Sequence, residues 1–184
     1  MNKIQRKFLV SADIERWLEK QTFIMENIER FYIASDSDTE CYYLKSFPDR
    51  YIKVMIDKEG KEKVQPVTEE RYVSASKNAV SKKIVKETYT VTDNDNIFIV
   101  SKYLKALEGI YIIVADFKDE KAVRNSKVIQ TLQPFTLKDI DRDEKYSDRS
   151  LSLYARPMEY NLQKLFEKID AFESPNLFFW QVPK

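Results

Sequence analysis

Lys3, Gln5 and Lys7 alternate along the segment from Asn2 to Val10. In a strand, side chains two apart share a face, so these three stand together. A row of amino groups on one face can hold a phosphorylated anion without a metal. The same row can guard a sheet edge against pairing with another chain, and the residues alone favour that simpler role. Ile110, Ile112 and Val114 share the face of Asp116. A carboxylate in such company needs a cation, because burying it unpaired is costly. Lys7 or Lys86 is the expected partner. Asp139, Asp141 and Asp143 imitate the start of an EF-hand loop. The sixth position is Glu144 where that loop needs Gly, and the twelfth is Ser150 where it needs a bidentate Glu, so no calcium site is expected. Asp36-Ser37-Asp38 and Asp93-Asn94-Asp95 read as turns. Arg149 is expected to pair at the surface with Asp148 or Glu144.

Composition narrows the chemistry further. The 184 residues include no His, one Cys (Cys41) and two Gly (Gly60 and Gly109). Imidazole bases, imidazole metal ligands, disulfide frameworks and Cys-based zinc sites are therefore excluded. Gly-rich phosphate loops of the GxGxxG or P-loop kind cannot be written. Catalysis would have to use carboxylates, amines, guanidinium groups, phenols or hydroxyls. Thirty-one basic and 30 acidic residues leave a net charge of +1, which argues for neither nucleic acid nor an anionic membrane as partner. No apolar run approaches the ~20 residues of a spanning helix, and Met1 to Val10 has no signal-peptide core. One unpaired Cys fits a cytoplasmic location.

The elements that must position these groups follow from the hydrophobic pattern. A strand is expected from about Lys3 to Val10, then a helix over residues 12–28 carrying Ile14, Trp17, Leu18, Met25 and Ile28. Aromatic and β-branched runs predict strands at residues 30–34, 41–44, 51–56, 71–76, 84–92, 97–103 and 110–117, separated by polar turns. The last run is apolar on both faces and should be central. A short helix is expected over 119–126. Met158, Leu162, Leu165, Phe166 and Ile169 form the stripe of an amphipathic helix. Strands recurring without alternating helices indicate an antiparallel sheet or barrel.

Two segments carry a family resemblance. Asn2-Lys3-Ile4-Gln5-Arg6-Lys7-Phe8-Leu9-Val10 resembles the E-x-E-x-K opening strand of the CYTH superfamily, the triphosphate tunnel metalloenzymes. Asp141-Arg142-Asp143-Glu144-Lys145-Tyr146-Ser147-Asp148-Arg149-Ser150-Leu151 is similar to that family's closing T-x-D-x-R-Y-x-N-x-x-L segment. The resemblance implies an eight-stranded antiparallel β-barrel or tunnel with flanking helices, an α+β fold, over residues 1–153. Residues 154–184 would then be a C-terminal helical extension on the same domain. It also implies inward carboxylates for divalent metal and inward Lys and Arg for a triphosphate. Here the family's acids fall at Lys3, Gln5, Ile99, Ser101 and Val114, with Asp116 retained and Glu40 and Glu70 as further metal candidates. The K-x-R pair falls at Lys86 and Thr88. Lys53 or Lys45 could extend the cationic wall.

The expectation is a tunnel protein that has lost metal-dependent triphosphatase activity and holds a phosphorylated small molecule or inorganic triphosphate through Lys3, Lys7 and Lys86. The first alternative is an active triphosphatase or phosphohydrolase, using Mg or Mn at a site rearranged around Asp116, Glu40 and Glu70. The second is a non-enzymatic scaffold or interaction module. Phe172, Phe178, Phe179 and Trp180 are expected to pack back on the barrel, with a homodimer through this tail as the alternative.

Overall fold

The structure, a computed structural model, describes residues 4–35, 39–93 and 96–154. The strands are β1 (Ile4–Val10), β2 (Phe23–Tyr32), β3 (Thr39–Ser46), β4 (Arg50–Asp57), β5 (Glu62–Pro66), β6 (Ile84–Asp93), β7 (Asn96–Tyr103), β8 (Tyr111–Phe117) and β9 (Thr136–Asp139). The helices are α1 (Ile14–Leu18), α2 (Glu69–Ser76), α3 (Glu120–Asn125), α4 (Lys127–Leu132) and α5 (Asp148–Tyr154). All nine strands join one sheet in the order β5-β4-β3-β2-β6-β7-β8-β1-β9, and every pairing is antiparallel. The α+β class agrees with expectation. The tunnel ring does not close: β5 and β9 are the two ends of the sheet, and the strand count is nine rather than eight. Among the described residues no helix is long and apolar enough to cross a membrane. Lys3, the stripe expected over 158–169 and the aromatic group at 172–180 lie outside the described residues.

Two expected elements are corrected. The helix over 12–28 stops at Leu18, and residues from Phe23 onward form β2. Met25 and Ile28 fit a helical period by coincidence. Eight successive residues, Phe23 to Arg30, instead pair with β6, and Phe23 meets Tyr89 edge-on at 5.2 Å. Ladder bonds and a cross-strand aromatic contact outweigh a short helical pattern. The strand expected at 71–76 is the helix α2. Thr68 caps it by accepting the Arg71 N–H, and Glu69 and Glu70 lie in its first turn, both favourable at a helix start. Its Tyr72 packs against Phe31 and Tyr51.

Register sorts the side chains into two faces. Val10, Trp17, Val91, Phe98, Val100, Tyr111, Ile113 and Phe117 form the main outer cluster, closed by α1 and by Leu132 of α4. Phe31, Tyr43, Tyr51 and Tyr72 form a second outer cluster under α2. On the inner face Ile84, Tyr103 and Ile112 pack with Ile140, Tyr146 and Leu151. The last two come from the 3₁₀ turn Glu144–Tyr146 and from α5, so this segment lies across the inner face. Beside it Tyr32, Tyr42 and Val54 form a smaller cluster.

Candidate functional site

Pairing aligns the inner residues in rows. Lys86 stands opposite Tyr103, and Thr88 opposite Ser101. Thr90, Ile99, Val114 and Lys7 form the next row, and Ile97, Asp116 and Gln5 the next. Gln5, Lys7, Ile99, Ser101, Val114, Asp116, Lys86 and Thr88 therefore share one face, as the resemblance implies. On the inner face of β1, β6, β7 and β8, among the described residues, Asp116 is the single carboxylate.

The inner cations converge on a carboxylate from outside the sheet. Asp148, the first residue of α5, accepts hydrogen bonds from Lys86 Nζ at 2.8 and 3.1 Å. Its Oδ1 also accepts the Tyr103 hydroxyl at 2.6 Å. Arg30 NH1, from β2, lies 2.7 Å from Asp148 Oδ2 and its guanidinium stacks 4.3 Å from the Tyr42 ring centre. Lys7 Nζ donates to the Tyr146 carbonyl, two residues before Asp148, at 3.0 Å. The Lys86 and Asp148 side chains are each 10% exposed, so solvent screens this pair little.

The electrostatics follow from that geometry. Burial alone would raise the Asp148 carboxyl, but the charges of Lys86 and Arg30 and the donated hydrogen bonds outweigh it and hold the group well below the usual carboxylate range. Burial lowers Lys86, with Arg30 and Lys7 pushing the same way against Asp148. Lys7 is lowered by burial, opposed by the more distant Asp148, Glu144 and Asp143. For Arg30 burial is outweighed by Asp148, Tyr32 and Tyr42, and its affinity for the proton rises. Tyr103 is pushed far upward by burial and Asp148, so it stays protonated as a donor. One carboxylate is shared between two cations. Asp116 accepts a bond from Gln5 at 2.9 Å, not from Lys7 or Lys86 as expected.

The metal candidates are scattered. Glu40 on β3 pairs with Arg149 at 3.6 Å, which corrects the expected Asp148 or Glu144 partner of Arg149. Glu70 lies exposed in α2, on a helix rather than a strand. Asp116 is four strands from β3 in the sheet order. Among the described residues no three His, Cys, Asp or Glu side chains converge on a metal position. Lys45 and Lys53 pair opposite Tyr51 and Tyr43, on the outer face, so they do not extend the inner cationic wall. Asp139 and Asp141 bind Arg6 rather than forming a loop site.

Sequence reasoning missed Arg30 and Asp148. Both were in view. Arg30 alternates with Ile28 and Tyr32 along its strand. Asp148 stands where the closing motif carries Asn, a change that adds a negative charge.

Solved structures share this architecture at low identity. The inorganic triphosphatase NE1496 superposes with a TM-score of 0.64 at 15% identity, covering 83% of this chain and 95% of that one. HpAC1 from Hippeastrum, for which a dominant triphosphatase activity is reported, gives 0.61 at 8% identity, covering 87% and 100%. A candidate adenylate cyclase from Vibrio parahaemolyticus gives 0.51 at 11%, covering 82% and 97%. The chain shares the fold of these CYTH-type structures, with its nine-stranded sheet left open. No family model and no curated protein sequence matches it.

Proposed function

We propose that this chain is a CYTH-type tunnel protein without metal-dependent triphosphatase activity, whose inner face keeps the cationic half of a phosphate site. Lys7, Arg30 and Lys86 are its anion-binding groups, and Lys3 is proposed to join them. The ligand class is a phosphorylated small molecule, with inorganic triphosphate as the simplest case, held by amino and guanidinium groups.

One observation carries this reading: Arg30 of β2 and Lys86 of β6 meet at the Asp148 carboxylate, and Lys7 of β1 reaches the Tyr146 carbonyl beside it. Hydrolysis of a triphosphate by a divalent ion needs that ion held in near-octahedral oxygen geometry, bridging phosphate oxygens or activating water. Asp116 is the one described carboxylate on the inner face of β1, β6, β7 and β8, Glu26 and Glu40 stand on that face of β2 and β3, and no three acids converge on a metal position among the described residues. The test is incubation of the purified chain with inorganic triphosphate and Mg²⁺ or Mn²⁺, following phosphate release. No release above the protein-free rate is expected. Release that Asp116→Ala abolishes would establish the active triphosphatase instead, with its metal near that residue.

A further inference from the structure

We infer that Asp148 is a built-in competitor: its carboxylate occupies the inner cationic site and keeps phosphate-type anions out of it. The inference rests on the proposal that Lys7, Arg30 and Lys86 form an anion site, and names what controls access to it.

Both Asp148 oxygens are engaged. Oδ1 takes Tyr103 and Lys86, and Oδ2 takes Lys86 and Arg30. A cation pair with a hydroxyl donor, aimed at two oxygens, is the arrangement a phosphoryl group would use. The carboxylate does not exhaust it. Arg30 Nε is buried with no hydrogen-bond partner among the described residues, and Lys7 is satisfied by a neutral carbonyl rather than a charge. Arg30 and Lys86 thus bring two positive charges to one negative charge, with Lys7 beside the segment that carries it. A phosphoryl group brings more oxygens and more charge than the resident carboxylate can.

The competitor is held by contacts independent of its charge. Leu151 is buried in the inner cluster, Ser152 is fully buried, and the Lys82 N–H donates to the Ser152 carbonyl at 3.3 Å. These fix α5 over the site. A tethered group meets its partner without losing translational freedom, so its effective concentration far exceeds that of a dissolved anion. Millimolar phosphate-type ligands therefore lose to Asp148. Replacing it with Asn keeps the shape and removes the charge, leaving Arg30 and Lys86 without a counter-ion.

The experiment is titration calorimetry with inorganic triphosphate in the presence of EDTA, on the full chain. Wild type, Asp148→Asn and the double variant Asp148→Asn with Lys86→Met are compared. The expected result is weak or undetectable binding to wild type, binding at least about tenfold tighter to Asp148→Asn, and loss of that gain in the double variant. Equal affinity for wild type and Asp148→Asn would overturn the competitor role while leaving the anion site standing. Absence of binding to either would overturn both. If Asp148→Asn does not fold alone, triphosphate in the refolding buffer must restore its native circular dichroism; failure to do so also overturns the inference.

Discussion

On the outer face of the sheet, Phe98 and Phe117 meet edge-on at 5.8 Å inside an apolar cluster. On the inner face the same sheet carries Lys86 and Tyr103 against Asp148. Both layers are buried, and both are closed by short helices. They differ in what a substitution leaves behind. An apolar layer responds by transfer free energy and cavity, at any pH. An ionic layer responds by the charge left without a partner, so its cost depends on which member is removed and on pH. The inner face is therefore the half of this fold whose response to substitution depends on pH.

The largest effects should come from breaking each layer at its centre. Asp148→Ala strands Arg30 and Lys86 and should cost about 3–5 kcal/mol, measured by urea denaturation. Phe98→Ala opens a cavity in the outer cluster and should cost a comparable ~3–5 kcal/mol. Acid should then separate the two. Asp148 titrates lower when folded than when unfolded, because Lys86 and Arg30 outweigh the effect of burial. Its contribution is complete above the unfolded value of roughly 3.9 and disappears as pH falls toward the folded value. The gap in urea midpoint between wild type and Asp148→Ala should narrow between about pH 5 and pH 2. The gap for Phe98→Ala should not change. A constant gap for both would remove the distinction between the faces.

A smaller net effect is expected from replacing the whole ionic group. Arg30→Met, Lys86→Leu and Asp148→Leu together should cost less than Asp148→Ala alone, and could leave stability within about 2 kcal/mol of wild type, since no charge is stranded. Loss of more than the single variant would mean the network contributes net stability. The smallest effect should come from an ion pair at the rim of the outer face. Lys102 lies 2.6 Å from Glu15, with the two side chains 30% and 45% exposed. Lys102→Met should shift stability by less than about 1 kcal/mol, and less still at high salt.

Much of this was legible along the chain. Residues two apart placed Lys7 with Gln5, and Asp116 with Ile112 and Val114, on one face, and register bears that out. The apolar run at 110–117 is central between β7 and β1. Failures came where a short stretch suits two periods. Residues 23–28 and 71–76 are too short for their apolar positions to fix a period, and what decided them was pairing with β6 in one case and the Thr68 cap in the other. The site was half legible. Lys7 and Lys86 could be nominated because each lies on a strand whose alternation is fixed locally. Their partner could not, because Asp148 is 62 residues from Lys86.

The sequence by itself determined the chemistry available: amines, guanidinium groups, carboxylates and phenols, without imidazole or glycine-rich loops. It also determined which strand residues share a face, because the backbone pleat enforces a period of two. Only the tertiary structure decided which charge meets which. Coulomb interaction depends on distance and burial rather than on position in the chain, and it was the passage of α5 across the inner face that set one carboxylate between Arg30 and Lys86.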